Sequence, residues 1–173
     1  MRYIAFLRAI NVGGHTVKMD RLRSLFEELK LKNVETFIAS GNVIFDTTSS
    51  EEAALTARIE RHLEKALGYS VATFLRTPAE LDRIREYEPF AREELERHTL
   101  YVGFLQSRPS RGAQQKLEAL RTPIDDLHAS GREIYWLARK SFSESKLSGA
   151  ALEKALGMPT TLRNINTVRR LKH

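Results

Sequence analysis

A short strand-like segment occurs twice in this chain of 173 residues. Residues 3–8 read YIAFLR, and residues 101–106 read YVGFLQ. A turn followed by a strand also recurs, as ASGNVIF at residues 39–45 and as ASGREIYW at residues 129–136. The copies are 98 residues apart in the first case and 90 in the second, so the order is kept while one connection is shorter. The repetition predicts a duplicated module of strands and helices.

The first predicted module, residues 1–97, follows the ferredoxin-like order of strand, helix, hairpin, helix and strand. Alternating apolar residues predict its strands, and apolar residues three or four positions apart predict its helices. These elements are expected at residues 3–10, 19–29, 34–47, 55–67 and 71–77. Both faces of the first strand are largely apolar, so we expect it to be covered on both sides. A connecting helix is predicted to begin at Pro78, a favoured first helical residue.

The second predicted module, residues 98–173, repeats the first part of this order. Its elements are a strand, a helix, a hairpin and two final helices at residues 100–106, 110–121, 124–139, 147–156 and 162–171. The last strand of the ferredoxin-like order is not evident. The predicted fold class is therefore α+β, with two related ferredoxin-like modules packed together and the second ending in helices.

Composition narrows the class of protein. The chain has no cysteine, which excludes disulfides, thiolate catalysis and cysteine zinc sites. No apolar run approaches the length of a membrane span, so a cytoplasmic protein is expected. The net charge is +6, yet residues 1–97 carry 15 basic and 16 acidic side chains, whereas residues 98–173 carry 13 and 6. This asymmetry suggests a polyanion such as nucleic acid as a partner, but a solvated, solubilising surface explains it as readily and is the preferred interpretation. The basic residues near the C-terminus are Arg163, Arg169, Arg170 and Lys172.

A glycine-rich loop at residues 11–18 connects the first strand to the first helix. Gly13 and Gly14 permit positive φ, which would turn backbone N–H groups toward a ligand. Arg8 and Lys18 flank the loop and would add positive charge. The pattern predicts binding of a phosphate or carboxylate, although it matches neither the Walker loop nor the dinucleotide fingerprint. A flexible turn is the alternative interpretation.

Three stretches resemble a bacterial family of domains of unknown function. Residues 7–14, LRAINVGG, resemble that family's L-R-G-I-N-V-G-G, and residues 36–45, TFIASGNVIF, resemble its T-Y-I-Q-S-G-N-V-V-F. Residues 161–168, TLRNINTV, resemble its T-x-R-N-W-x-T-V. The resemblance implies two αβ subdomains related to the ferredoxin-like plan. It implies no activity, because the family has none assigned.

This chain departs from the family motifs at Ala9, Ala39 and Ile165, where the family has Gly, Gln and Trp. The motifs are rich in polar residues that packing does not need. We therefore predict that a subset of them converges on one polar ligand site, made of Arg8, Asn11, Ser40, Asn42, Arg163 and Asn166. The alternative is that these side chains cap helices and turns, as Asn, Ser and Thr often do.

Three functions remain open at this stage. The first is binding of a small anionic ligand at the glycine loop, and the second is binding of RNA or another polyanion through the basic C-terminal half. The third is homo-oligomeric assembly through an exposed edge strand. The five histidines lack metalloprotease spacing, and no serine lies in G-x-S-x-G, so the sequence predicts no metal, no cofactor and no recognisable catalytic group.

Overall fold

The computed structural model describes the whole chain except residues 11–13, 15, 38–40 and 142. The described chain divides into two compact units. The first unit contains residues 1–82 together with 171–173, and the second contains residues 83–170. The division after Asp82 falls inside a helix, whereas the sequence places the boundary between its two modules after residue 97.

The first unit has the predicted order of strand, helix, hairpin, helix and strand. Its elements are β1 (Arg2–Leu7), α1 (Met19–Glu27), β2 (Lys32–Phe37), β3 (Asn42–Asp46), α2 (Glu52–Leu67), β4 (Thr73–Arg76) and the start of α3 (Pro78–Glu86). The four strands form one sheet in the order β2-β3-β1-β4. Every neighbouring pair is antiparallel.

The core of the first unit is formed by apolar residues that alternate along its strands and recur every three or four positions along its helices. Tyr3, Ala5 and Leu7 alternate along β1 and belong to one buried cluster with side chains of both helices. The helix α2 contributes a stripe that includes Leu55 and ends at Gly68, which caps it at φ +83°. The intervening residues of β1 are buried as well, so the expectation that both faces are covered is confirmed.

The second unit contains a sheet with the same arrangement. Its elements are α4 (Arg92–Arg97), β5 (Thr99–Phe104), α5 (Arg111–Glu118), β6 (Asp125–Ser130), β7 (Glu133–Ala138), α6 (Gly149–Leu156), β8 (Thr161–Asn164) and α7 (Ile165–Arg170). The strand order is β6-β7-β5-β8, again antiparallel throughout. The two repeated strands, β1 and β5, therefore hold the same position in their sheets. The predicted α+β class with two modules is confirmed.

The second module does contain the last strand of the ferredoxin-like order, which is not evident from the sequence. The strand β8 pairs with β5, with Thr161 opposite Phe104. The predicted helix over residues 162–171 begins only at Ile165, where the Asn164 side chain accepts a hydrogen bond from the N–H of Asn166. The apolar residues of β8, which has four residues, and of α7, which has six, happen to follow one another at helical spacing. Periodicity cannot distinguish a strand from a helix when the elements are this short.

The last strands of the two sheets share their register. Arg76 of β4 lies opposite Ile4 of β1, and Arg163 of β8 lies opposite Val102 of β5. Ile4 and Val102 are the equivalent second residues of the repeated strings. Among the described residues, no helix has the length and apolar character that crossing a membrane requires, and a cytoplasmic location stays a prediction.

Candidate functional site

The described part of the glycine loop follows β1 and precedes α1. Arg8 is half-buried, and its backbone N–H donates to the carbonyl of Ala72 over 3.0 Å. Gly14 is exposed and has φ +84°, with open space where a Cβ would be. Lys18 is exposed at the N-cap of α1, and its side chain makes no capping hydrogen bond. Three predicted site residues lie outside the described part of the chain, namely Asn11, Gly13 and Ser40.

A hollow beside Ala72 is acidic. Its volume is about 250 Å³, and its lining residues are Glu60, Glu64, Ser70, Val71 and Ala72. Glu60 accepts a hydrogen bond from the N–H of Thr73 at 3.1 Å, and Glu64 accepts one from the Ser70 hydroxyl at 3.3 Å. Two carboxylates repel an incoming anion, so this hollow does not suit a phosphate or carboxylate.

The predicted hairpin residue Asn42 has a structural set of contacts. Its side chain is fully buried, and Nδ2 donates to the carbonyl of Phe37 at 2.9 Å. Gly41 beside it has φ +81° and accepts a hydrogen bond from the N–H of Leu7. A Cβ at position 41 would be 2.6 Å from Cγ2 of Ile10. These contacts hold the hairpin against the end of β1, and a ligand-binding role for Asn42 stays a prediction.

Arg163 is also held by its own strand. The side chain is buried, and Nη1 donates to Oγ1 of Thr161 at 2.7 Å and to the carbonyl of Leu162 at 3.0 Å. Burial lowers the pKa of Arg163 to about 10. Arg76, at the matching position of the first unit, is buried too and donates to the carbonyl of Leu75 at 2.8 Å. The recurrence indicates that a buried arginine on the last strand belongs to the architecture of the module.

A polar cavity in the second unit contains the remaining predicted site residue, Asn166. The cavity has a volume of about 270 Å³ and is formed where α4 meets β5 and where β8 meets α7. We call it the Asn166 cavity, and its lining residues are Leu95, Glu96, His98, Thr99, Leu100, Asn164, Ile165, Asn166 and Arg169. It therefore combines a residue predicted to bind a small anion with Arg169, which the sequence links to a polyanion.

The uncharged side chains of this cavity keep hydrogen-bonding capacity. Oδ1 of Asn164 accepts from the N–H of Asn166 at 2.9 Å, and this contact fixes the orientation of the Asn164 amide. Within the described chain, Nδ2 of Asn164 and the side-chain amide of Asn166 have no hydrogen-bond partner. Amide groups in this state can serve a ligand as donors and acceptors.

The charged side chains of the cavity include one cation and one anion that form no ion pair, although the charge of the anion, Glu96, acts on Arg92 of the same helix. Neither Arg169 nor Glu96 forms an ion pair with any described residue. His98 is placed differently, because its Nε2 lies 3.4 Å from Oε2 of Glu94. The same Glu94 oxygen accepts from Nε of Arg139 at 3.1 Å, so the charge of Glu94 is balanced outside the cavity.

Sequence reasoning identified Asn166 and Arg169 but missed Glu96, His98 and Asn164. The first two lie more than 60 positions before Asn164, and nothing in their local spacing connects them to it. The pairing of β5 with β8 is what brings the two segments together. Because that strand was not predicted, the cavity could not be predicted either. Among the described residues, no group of three or more His, Asp or Glu side chains is placed to hold a metal ion.

Two α+β modules, each built on a four-stranded antiparallel sheet of the same strand order, define the fold of the chain. The chain belongs to the DUF1697 family of proteins of unknown function, whose model matches residues 1–135. It is similar over its length to the structure of a conserved bacterial protein, SP0830 from Streptococcus pneumoniae. The identity is 25%, the TM-score is 0.74, and the match covers 98% of this chain and 95% of that one. No functionally curated protein matches the chain.

The shared polar site predicted from the three motifs involves both units. Arg8 and Asn42 belong to the first unit, whereas Arg163 and Asn166 belong to the second. Convergence of the whole set stays a prediction. The described geometry does bring together a smaller set within the second unit, centred on Asn166.

Proposed function

We propose that this protein binds a small anionic ligand in the Asn166 cavity. The observation that carries the proposal is that Arg169, Asn164 and Asn166 line one concave site and offer polar groups with no partner in the described chain. A hollow with a few convergent polar groups is the usual form of a small-molecule site. Arginine pairs with carboxylate and phosphate oxygens in a fixed two-pronged geometry, and amide N–H groups add directional hydrogen bonds.

The glycine loop is the second candidate position for the same function. The left-handed φ of Gly14 and the exposed charge of Lys18 favour it. The acidic hollow argues against anion binding at the loop. Its lining includes Ala72, and the backbone N–H of Arg8 donates to the carbonyl of Ala72. The cavity has no such excess of negative charge, since Glu96 is balanced in number by Arg169. We therefore prefer the Asn166 cavity to the glycine loop as the proposed binding site.

We further propose that the two modules arose by duplication within one gene. Support comes from the repeated strings, the common strand order and the matching register of Arg76 and Arg163. The cavity includes Asn164 and Asn166, and the first module has no counterpart of this Asn-x-Asn stretch after Arg76. Ligand binding in the cavity is then a feature that the second copy acquired separately.

The test is a titration of the full chain with inorganic phosphate and with acetate at constant ionic strength, followed by amide NMR. We expect the side-chain amide signals of Asn164 and Asn166 to shift, and we expect Arg169→Gln to abolish the shifts. Arg170→Gln is the matched control, because this neighbour does not line the cavity. Shifts of the backbone amide signals of Gly14 and Lys18 that disappear in Lys18→Gln, without shifts at Asn164 and Asn166, would move the site to the loop.

The polyanion hypothesis makes a different prediction in the same experiment. A short single-stranded RNA would contact Arg169 and Arg170 alike, so both variants would weaken binding to a similar degree. The affinity would also fall steeply with salt, because each phosphate contact releases a counterion. A small anion bound by one arginine gives a shallow salt dependence and a difference between the two variants.

A further inference from the structure

We infer that the Asn166 cavity selects a zwitterionic ligand, one that carries an ammonium group beside its carboxylate or phosphate, and that Glu96 is the residue that sets this preference. The inference rests on the proposed function, because it needs an anion seated against Arg169. It goes further by assigning a second charged contact and a chemical class of ligand.

The charges of the cavity support a ligand with both signs. Glu96 and Arg169 are exposed and have no ion-pair partner among the described residues. An anion alone would satisfy Arg169 and would leave the Glu96 carboxylate repelling it in the same hollow. An ammonium group on the ligand turns that repulsion into attraction. A ligand with one charge of each sign therefore matches the site better than a simple anion does.

The neighbouring charges do not remove this requirement. His98 lines the cavity, and its Nε2 is placed against Glu94, whose carboxylate is also bound by Arg139. The Glu94 charge is thus met by the guanidinium of Arg139, and neither residue lines the cavity. Arg92 lies on the same helix and its charge interacts with that of Glu96, but its guanidinium forms its ion pair with Glu88, at 2.7 Å. Glu96 remains the acidic group available to the cavity.

The size and lining of the cavity restrict the ligand further. A volume of about 270 Å³ is below the range of roughly 300–1,000 Å³ that drug-sized ligands occupy. Leu100 and Ile165 are buried and supply an apolar wall. The amides of Asn164 and Asn166 can bind the polar atoms between the two ends of a ligand. This combination suits a small amino acid or an amino-alkyl phosphate.

The experiment compares pairs of probes that differ only in the ammonium group. L-alanine is compared with N-acetyl-L-alanine, and O-phosphoethanolamine with methyl phosphate, by titration of the full chain. We expect the zwitterion of at least one pair to bind about tenfold more tightly than its partner, which is the effect of about one hydrogen bond between charged groups. The pair that shows the preference distinguishes a carboxylate ligand from a phosphate ligand.

The variant Glu96→Gln should bring the two affinities of that pair close together while N-acetyl-L-alanine or methyl phosphate still binds. Glu93→Gln is the control, because it lies on the same exposed helix but does not line the cavity. Equal binding within both pairs by the unmodified protein would overturn this inference and leave the proposed function intact. If none of the four probes shifts the Asn164 and Asn166 amides, the proposed function itself fails.

Discussion

The indole Nε1 of Trp136 donates a hydrogen bond to Oδ1 of Asp125 over 2.9 Å, and both residues are buried. The other carboxylate oxygen accepts from the hydroxyls of Thr122 and Ser145, at 3.0 and 2.8 Å. Ser145 in turn accepts from the N–H of Leu147. Asp125 therefore ties the segment that precedes α6 to β6 and β7. Three donors offset the large cost of burying this carboxylate.

Replacing Asp125 with alanine should lower the free energy of unfolding by about 2–3 kcal/mol, because the buried Trp136 N–H loses its acceptor. Trp136 is the only tryptophan of the chain, so urea unfolding followed by its fluorescence reports the change directly. Asp126→Ala is the matched control. Its carboxylate is about one-third exposed and meets Arg121 and Arg139, so we expect a loss of only about 0–1 kcal/mol. Equal losses in the two variants would contradict this assignment.

A second prediction concerns the packing between β5 and β7. Gly103 lies opposite Ile134, and a Cβ at position 103 would be 2.5 Å from Cγ1 of that side chain. Gly103→Ala should therefore destabilise the protein by about 1–3 kcal/mol, although alanine is intrinsically better than glycine in a strand. In the equivalent pair of the first unit, Ala5 lies opposite Val43. There the residue that carries a Cβ faces valine, whose side chain is shorter than that of isoleucine.

Rebuilding the first unit's pair in the second unit tests this explanation. Ile134→Val keeps Cγ1 but removes Cδ1, which would lie 2.9 Å from a Cβ at position 103. This single variant should cost about 0.5–1.5 kcal/mol. The double variant, with Gly103→Ala and Ile134→Val, should be less destabilised than the sum of the two single variants. Chemical denaturation of the four proteins in the cycle gives the coupling. An additive result would show that the two positions do not compensate each other.

Much of this fold could be predicted because similar strand and hairpin sequences occur in both halves of the chain. The strings at residues 3–8 and 101–106 placed β1 and β5, and the hairpin strings placed β3 and β7. The strand β8 had no such repetition. It has only four residues, and an Asn164 side chain starts the next helix directly after it. Short elements of this kind are decided by tertiary pairing, which local periodicity does not record.

The candidate site was less predictable for a related reason. The polar residues of the motifs indicated candidate positions for the site, but some of these residues are buried and have structural contacts while others are exposed. Asn42 and Arg163 are buried and bind neighbouring backbone carbonyls, whereas Asn166 is exposed and lines a cavity. Sequence alone gives the residue type and not its burial. Glu96 and His98 belong to no motif, and only the pairing of β5 with β8 brings them to Asn166.

A third prediction concerns acid stability. Asp46 accepts hydrogen bonds from Nδ2 of Asn33 at 2.7 Å and from Nη1 of Arg2 at 2.9 Å. These two contacts, Asn33 first, hold the pKa of Asp46 below its ordinary value in the folded protein. The stabilisation is therefore present above the unfolded-state pKa, near 4, and is lost as the pH falls through the folded-state pKa.

The variant Asp46→Asn should melt at a lower temperature than the unmodified protein at pH 7. The difference should shrink as the pH falls below the unfolded-state pKa, near 4, and should be lost once the pH is below the lowered folded-state pKa. We expect a modest effect, under about 1 kcal/mol, because the side chain is one-third exposed. Thermal melts at several pH values provide the measurement. A difference that stayed constant from pH 7 to pH 2 would assign the effect to something other than the Asp46 charge.

The last prediction separates the two left-handed glycines next to the end of β1. Gly14 and Gly41 have φ values of +84° and +81°, so alanine at either position is strained by about 1–2 kcal/mol. A Cβ at position 14 meets no atom within 4 Å, whereas one at position 41 would be 2.6 Å from Ile10. Gly41→Ala should therefore lose about 1–3 kcal/mol more stability than Gly14→Ala in thermal or urea unfolding. Since Gly14→Ala leaves the packing intact, it can also be titrated with phosphate. Weakened binding in that variant, with Arg169→Gln unaffected, would place the anion at the loop, and unchanged binding would keep it in the Asn166 cavity.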